Sequence, residues 1–279
     1  MLSNNIVPMF IMRNWVGELK LNFGLRNNRN TLLKRWHRGP FIIQKPFYYD
    51  DNVPHVYLLH PPGGLVAGDQ LYLEIDLEEN SHVLLTMPGA TKFYRSDGMY
   101  VFVRQNFNLS KGSALEWLPQ CNIFFSKSKV IIESNVWVAE GARFIFFESL
   151  CFCCVPFQEV CTGRVLNIFV SVVLENAIGL RERIKVNYSD EFLNKFSGYQ
   201  VSAVLYALPS DIHVLNDVRI LIKKYGIAAG GATLLDKLLV VRLLDNEHEC
   251  VQAFLRVLWC FLRPSVVGKQ PVVPRVWST

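Results

Sequence analysis

Residues 77–83 read LEENSHV, and the same pattern returns as LSKGSAL at 109–115 and as VAEGARF at 138–144. Each copy runs apolar, two variable residues, Asn or Gly, a small residue, one variable residue, apolar. A repeat every 30 residues or so is typical of stacked supersecondary units rather than of an α/β enzyme core. A weaker fourth copy runs from Val173 through Asn176-Ala177 to Leu180. The repeats predict a body of stacked β-coils.

Between these turns, apolar and polar residues alternate with a period of two. From Leu71 to Leu77 the apolar side chains fall on one face, and from Tyr72 to Glu78 the polar ones fall on the other. Such alternation indicates a half-buried β-strand. Similar strands are predicted at 83–87, 101–109 and 130–138, and a further one begins at Phe144. Because no helical pattern separates them, the strands favour solenoid or antiparallel β-structure.

The pattern changes to helical spacing in the last third of the chain. Apolar residues from Val214 to Tyr225 predict a helix, with Ser210 as its N-cap and Gly226 as its C-terminal stop.

A second helix is predicted from the apolar stripe between Val251 and Leu262, and Pro264 is expected to end it. A strand at 237–244 lies between the two helices. No linker rich in Gly, Ser or Pro interrupts the chain. We therefore predict one domain over residues 1–279, mainly β, with a β-helix-like body of stacked strands and two α-helices in the C-terminal third.

The composition is that of an ordered protein rich in core residues. The chain has 279 residues, of which 51% are hydrophobic and 19% charged, and its net charge is +5. No run of five Lys or Arg exists, so nucleic-acid binding is not expected. The N-terminus does not resemble a signal peptide, and no uninterrupted apolar run approaches the length that spans a membrane. We therefore expect a reduced, cytoplasmic protein.

Four of the seven cysteines lie close together, at Cys151, Cys153, Cys154 and Cys161. On a strand, Cys151 and Cys153 share a face, and two thiolates on one face are ligands for a soft metal such as Zn or Ni. The alternative is a set of buried small apolar residues, which is the usual environment of free cysteine. The first interpretation would make the protein a metal-binding enzyme or metal-storage protein using the 151–161 cluster.

The sequence contains no H-E-x-x-H, no G-x-S-x-G and no paired C-x-x-C motif. Residues 63–68 have the glycine spacing of a phosphate-binding loop, but Asp69 stands where Lys is required, and its negative charge would repel phosphate. His55 and His60 are five residues apart on an extended stretch and are expected to face opposite sides, which disfavours a metal chelate. These residues therefore predict neither a nucleotide-binding loop at 63–69 nor a metal chelate formed by His55 and His60.

Two loop segments stand out for their stiff and small residues. The first begins with Pro61 and Pro62 and continues through Gly63, Gly64 and Gly68. The prolines stiffen the turn and the glycines free the backbone, so we expect Asp69 to be held in a defined position.

The second segment, MPGATKFYRS at 87–96, contains Lys92, Tyr94 and Arg95. Its small residues allow close approach of the backbone. The two cations are candidates to pair with Asp69 or with a carboxylate of a partner protein.

These segments resemble the UreD (also called UreH) family of urease accessory proteins. The similarity is carried by LLHPPGGLVAGD at 58–69, LTMPGATKFYRS at 85–96, LEWLPQCNIFF at 115–125 and FLRPSVVGKQPVVPRVW at 261–277. The motifs occur in order and span nearly the whole chain.

The resemblance implies a maturation scaffold rather than an enzyme. Members act with the UreF protein and the GTPase UreG, in a complex expected to hold two copies of each accessory protein, and dock on apo-urease to help install its dinuclear nickel site. The implied fold is a β-helix-like body with two helices, through which a tunnel passes Ni²⁺ transiently; no tightly bound cofactor is implied. By motif match, the polar positions along that path are Asp69, Thr91, Glu148 and Glu182.

Two of these carboxylates have simpler alternatives. Glu148 lies in FIFFESL at 144–150, where a charge needs water or a partner, and a buried ion pair with an Arg would satisfy it as well as a tunnel would. Glu182 is flanked by Arg181 and Arg183, so an ordinary surface salt bridge is equally compatible with the sequence.

The chain departs from the family pattern at two places. Ala67 stands where the family usually has Gly, which is a small change. Cys153 and Cys154 stand where the family commonly has a Gly-Arg pair, and loss of that Arg removes a cation with its fork of donors.

Overall fold

A computed structural model describes residues 15–49, 52–152, 163–175, 177–187 and 195–278, and two β-sheets form most of this structure. The strands of the first sheet are β1 (Val16–Arg26), β2 (Arg29–Arg38), β6 (Gln70–Leu77), β9 (Val101–Leu109), β12 (Lys129–Val138), β14 (Val165–Leu174) and β15 (Ala177–Asn187). Their spatial order is β15-β14-β12-β9-β6-β1-β2.

The second sheet has a main path of eight strands and three short strands beside it. Its members are β3 (Ile42–Ile43), β4 (Phe47–Tyr48), β5 (Pro54–Leu59), β7 (His82–Thr86), β8 (Thr91–Phe93), β10 (Ala114–Leu118), β11 (Asn122–Phe124), β13 (Arg143–Cys151), β16 (Val201–Leu208), β17 (Ala229–Leu235) and β18 (Leu238–Asp245). The main path runs β17-β18-β16-β13-β10-β7-β5-β3.

The three repeated turns stack on one another and carry the chain from the first sheet to the second. The backbone N–H of Asn80 donates to the Lys111 carbonyl at 3.0 Å, and that of Gly112 donates to the Glu140 carbonyl at 3.2 Å. Asn80, Gly112 and Gly141 all have a left-handed backbone, with φ of 58°, 67° and 67°. This conformation explains the Asn or Gly of the repeat, because other residues rarely adopt it. The predicted β-coils are confirmed.

The strands that flank the turns are parallel within each sheet, as a coil requires. Strands β6, β9 and β12 pair in parallel in the first sheet, and β7, β10 and β13 do so in the second. The inward side chains of β6 (Leu71, Leu73, Ile75 and Leu77) are buried in one core between the sheets, as the alternation predicts. Each coil therefore contributes one strand to each sheet.

The weak fourth repeat does not form a coil, so that prediction is wrong. Strands β14 and β15 are antiparallel neighbours in the same sheet, with Leu174 opposite Ala177. Glu175, with a φ of 46°, begins the reversal, while Asn176 lies outside the described residues. The turn closes a hairpin instead of crossing to the second sheet.

Helix α1 (Ile212–Tyr225) begins one residue later than the predicted cap indicates. Its N-cap is Asp211, whose carboxylate accepts from the backbone of His213 at 2.8 Å and of Val214 at 2.9 Å, so the prediction of Ser210 is wrong. A carboxylate in that place also stabilises the positive end of the helix dipole. The predicted stop at Gly226 is confirmed, with a φ of 78°.

Helix α2 (His248–Val267) continues through Pro264 and ends at Gly268, so the prediction that Pro264 ends it is wrong. The last turn is held by burial, because Val266 and Val267 pack into the core between α2 and the outer face of the second sheet. Length and composition alone would let α2 cross a membrane, but 56% of its most apolar stretch is buried inside the protein. Two strands, β17 and β18, lie between the helices where one was predicted.

The C-terminal tail is anchored to α2 and to the second sheet. The indole N–H of Trp277 donates to the Thr86 hydroxyl at 3.1 Å, and its ring centroid is 5.3 Å from that of Trp259. A guanidinium N–H of Arg263 donates to the Gln270 carbonyl. These contacts place the tail on the opposite face of the second sheet from the core between the sheets.

Candidate functional site

A small cavity of about 40 Å³ lies between the two sheets. One water needs at least about 10–15 Å³ of such space, so the cavity has room for two or three. Its walls are largely apolar, formed by core residues of both sheets. The polar residues in the lining are His60, Thr91, Arg104, Gln105, Asn122 and Glu148, of which Arg104 is exposed and paired with Glu133.

Glu148 is the buried acid of this cavity. The alternation along β13 turns it towards the first sheet, and its side chain is only 3% exposed. One carboxyl oxygen accepts from the Gln105 amide at 3.0 Å and from the Ser134 hydroxyl at 3.4 Å. Both partners are neutral, so the predicted alternative of a buried ion pair with an Arg is wrong.

This environment changes the acidity of Glu148. Burial raises the pKa of its carboxyl to about 7, and the hydrogen bonds from Gln105 and Ser134 lower it only in part. The carboxyl is therefore poised to lose its proton near neutral pH. A divalent cation in the cavity would favour the charged form, because it supplies the positive charge that Gln105 and Ser134 lack.

A cleft of about 350 Å³ lies outside the cavity, between the loop that follows β5 and the loop that follows β7. The two loops are joined by backbone hydrogen bonds from Leu65 to the Lys92 carbonyl at 2.8 Å and from Tyr94 to the Leu65 carbonyl at 2.9 Å. The Tyr94 hydroxyl donates to the Gly63 carbonyl at 3.1 Å. A Cβ on Gly64 would collide with the Tyr94 ring and lie 2.8 Å from the Lys92 carbonyl oxygen. The close approach thus depends on Gly64 of the first loop, whereas the sequence indicated it for the small residues of 87–96.

Three residues line both the cleft and the cavity: His60, Met87 and Thr91. We call them the neck. Thr91 therefore lies where a path from the surface to Glu148 would pass. No sequence pattern singles out Met87, and His60 was considered only as half of a disfavoured metal chelate with His55. Only the folded structure shows that the cleft and the cavity share these three residues.

Asp69 belongs to the loop rather than to the cavity lining. Its carboxylate accepts from the Val66 N–H at 2.9 Å, and its carbonyl accepts from the Phe102 N–H at 2.9 Å. Arg95 pairs with Asp97 at 3.0 Å instead of with Asp69, and Lys92 is exposed at the rim of the cleft. The pairing of Asp69 with Arg95, one of the predicted alternatives, is wrong.

Glu182 lies where the edges of the two sheets meet. Arg242 of β18 binds both its carboxyl oxygens at 3.0 Å, and the Tyr206 hydroxyl of β16 donates to it at 2.8 Å. The salt-bridge alternative is therefore correct, although the partner comes from the other sheet and not from Arg181 or Arg183. Glu182 closes the edge of the sandwich and is not part of the cavity lining.

A second buried carboxylate, Glu116, was missed by sequence reasoning. It faces α2 and accepts from Arg263 at 2.9 Å, from the Trp259 indole at 2.6 Å and from His82 at 2.9 Å. Burial by itself raises the pKa of Glu116, but His82 and Arg263 outweigh burial and lower it to about 2. The available signal was an acid in LEWL at 115–118 and an Arg within the apolar stripe of α2.

The cysteine cluster gains no support from the described part of the chain. Cys151 ends β13, half-buried against the core that α2 covers, and Cys153, Cys154 and Cys161 lie outside the described residues. Among the residues that are described, no group of three or more His, Cys, Asp or Glu side chains is arranged to hold a metal ion.

Comparison with known proteins gives a consistent result over the length of the chain. The family model "UreD urease accessory protein" matches residues 16–278. A "Urease accessory protein UreD" of Blochmanniella pennsylvanica is 46% identical over 280 residues, covering 100% of this chain and 99% of the relative. The protein of that name from Pseudomonas putida strain GB-1 is 43% identical, with 95% of each chain covered. The one from Klebsiella aerogenes is 35% identical, with 96% and 98% covered.

Proposed function

The chain belongs to the UreD family of urease accessory proteins, which gives it a role in urease maturation, and from this we propose that it passes nickel to the urease active site. In this proposal it is a non-catalytic scaffold. It acts in the cytoplasm with a UreF-type protein and a UreG-type GTPase, in a complex of two copies each, and it docks on apo-urease. Nickel is its cargo and binds only transiently.

The observation that carries the proposal is the buried carboxyl of Glu148 facing a cavity with only neutral hydrogen-bond partners. A structural carboxylate in this protein, Glu116, is instead surrounded by Arg263 and other donors. A carboxyl that ionises near neutral pH, beside space for a few waters, suits the temporary binding of a divalent cation. Glu148 is the inner stop of the proposed path.

The arrangement of ligands also suits movement rather than storage. An ion advances along a path only if each stop binds it weakly enough to release it. A single carboxylate, a hydroxyl at Thr91 and a few waters offer such stops, whereas a cage of Cys and His would retain the metal. In this proposal Asp69 shapes the loop of the cleft, and Glu182 closes the far edge of the sandwich.

The test is urease maturation in cells that co-express apo-urease, the UreF-type and UreG-type partners and this chain. The variants are Glu148→Ala and Thr91→Val, and the matched control is Glu133→Ala, which removes a partly exposed carboxylate of the first sheet that is paired with Arg104. Nickel per urease and urease activity are measured, and co-purification shows that each complex still forms.

We expect the Glu148 variant to lose about tenfold or more of urease activation, which is the scale typical of losing a group that supports a metal site. The control should activate urease normally. Normal nickel content in urease made without this chain would overturn the proposed role in nickel delivery. Normal activation by an assembled Glu148→Ala complex would remove Glu148 and the cavity from the path.

A further inference from the structure

The neck offers three different donor atoms between the cleft and the cavity. They are the imidazole nitrogen of His60, the thioether sulfur of Met87 and the hydroxyl oxygen of Thr91, which lies 4.0 Å from that sulfur. An ion moving from the cleft to Glu148 by this route passes all three. The chemistry of these atoms therefore decides which ions can pass.

His60 is held in one orientation by its surroundings. It follows β5 directly and precedes two prolines, and its ring meets Phe41 edge-on with centroids 5.8 Å apart. Its Nε2 atom is buried and, within the described part of the chain, has no hydrogen-bond partner. A hydrogen bond to the Pro62 backbone raises the pKa of the ring, and because Nε2 has no partner we assign the donor as Nδ1.

This arrangement leaves a lone pair on Nε2. When Nδ1 carries the proton of a neutral imidazole, Nε2 carries the lone pair. A histidine that donates one ring N–H to a backbone carbonyl and keeps the other nitrogen without a partner has the hydrogen-bond pattern of a metal ligand.

We propose that His60 Nε2 is the ligand that takes up Ni²⁺ at the neck, with Met87 and Thr91 beside it, and that this ligand selects transition-metal ions against Mg²⁺. This inference rests on the proposed function. Imidazole nitrogen suits first-row transition ions, and thioether sulfur is softer still, whereas Mg²⁺ requires oxygen ligands and keeps its waters. The neck thus acts as a filter before the carboxyl of Glu148, which by itself would not distinguish the two ions.

The first measurement uses the wild-type chain in its complex with the accessory partners. In heavy water the C2 hydrogen of each imidazole is slowly replaced by deuterium, a modification that also reaches partly buried rings, and peptide mass spectrometry follows its rate at each histidine. We expect Ni²⁺ to slow the modification of His60 several-fold and Mg²⁺ at the same concentration to leave it unchanged. His213, exposed on α1, serves as the internal control and should react equally in all samples. Equal rates at His60 with and without saturating Ni²⁺ would overturn the proposal.

The second measurement uses the variants His60→Ala and His60→Gln, with His213→Ala as the matched control. In equilibrium dialysis of the complexes against Ni²⁺, the affinity for Ni²⁺ should fall by about tenfold or more in the His60 variants. It should be unchanged in the control. Nickel K-edge X-ray absorption should lose its imidazole scattering in the same variants.

Urease activation separates this inference from the function on which it rests. If omitting the chain abolishes activation but the His60 variants bind nickel and activate urease normally, the neck inference is wrong and the function stands. If omitting the chain changes nothing, the nickel-delivery function is wrong, and the protection and dialysis results still decide whether His60 binds nickel.

Discussion

At the scale of single residues, two glutamates on opposite faces of the second sheet have carboxyl pKa values shifted in opposite directions. Glu116 faces α2, where Arg263 and His82 hold the pKa of its carboxyl at about 2. Glu148 faces the first sheet, where neutral partners leave the pKa of its carboxyl at about 7. The same side chain is thus a charged structural anchor on one face and an ionisable group beside a cavity on the other.

Glu148→Gln should make the protein more stable in alkaline solution while impairing nickel delivery. The pKa of Glu148 is about 7 in the folded state against 4.5 without the fold. Between these values the folded state holds more protons than the unfolded state, so its stability falls as the pH rises from 4.5 to 7. At 1.36 kcal/mol per pKa unit, the loss is about 3 kcal/mol as an upper value.

Chemical unfolding at pH 5 and at pH 8 tests this prediction. The free energy of unfolding should fall more steeply with pH in the wild type than in Glu148→Gln, and the other titrating groups cancel in the comparison. Glu133→Gln, which changes a partly exposed carboxylate, should follow the wild type within about 0.5 kcal/mol. Parallel pH profiles for wild type and Glu148→Gln would show that Glu148 has an ordinary acidity.

The candidate site could be predicted only in part from the sequence. The charge of Glu148 among phenylalanines indicated a buried acid, and the glycines before Asp69 indicated a loop that holds this aspartate in place, where it now accepts from the Val66 N–H. The partners of Glu148 could not be predicted, because Gln105 and Ser134 lie 43 and 14 positions away along the chain and meet it only when the sheets stack. The position of His60 beside the cavity could not be predicted for the same reason, since the cavity does not exist in one strand alone.

At the scale of elements, Glu116 is the link that attaches α2 to the second sheet. Its carboxylate joins β10 to Trp259 and Arg263 of the helix, and Arg263 in turn reaches the tail at Gln270. Glu116→Gln would leave the buried guanidinium of Arg263 without its counter-charge. Removing one partner of a buried ion pair typically costs about 3–5 kcal/mol, so we expect a loss of that size in the free energy of unfolding.

Urea unfolding at pH 7 measures this loss, and Glu79→Gln is its control because Glu79 is exposed in the first repeated turn. The control should change stability by less than about 0.5 kcal/mol. A loss below about 1 kcal/mol in Glu116→Gln would mean that the ion pair is not what holds α2 to the sheet.

Predictions of secondary structure from sequence were correct where the contacts that form the element are close in the sequence. The Asn and Gly of the repeats predicted where the turns lie, and the structure shows that these residues, Asn80, Gly112 and Gly141, are left-handed. The rule that proline ends a helix failed at Pro264, because burial of Val266 and Val267 stabilises one more turn. The weak fourth repeat failed because its turn returns the chain to the first sheet, and seven residues of pattern do not show which sheet receives the next strand.

At the scale of the whole molecule, the path of the chain ties the two sheets to each other. Each coil runs through one strand of the first sheet and one of the second, so β6 precedes β7, β9 precedes β10 and β12 precedes β13. The inward faces share one core, and Glu182 of the first sheet binds Arg242 of the second at the edge. Neither sheet can lose its structure without exposing the apolar face of the other.

We therefore expect the protein to unfold in a single cooperative step, as one domain. Calorimetry under reducing conditions should give one transition whose calorimetric and van't Hoff enthalpies agree. Leu21→Ala opens a cavity in the first sheet and should cost about 2–5 kcal/mol, whereas Glu116→Gln acts at the helix side of the second sheet. Because the sheets share a core, both changes should lower the temperature of the same transition. Two separate transitions, each shifted by only one of the substitutions, would show instead that the helix-bearing side folds as an independent unit. The neck between the cleft and the cavity would then be free to open without global unfolding.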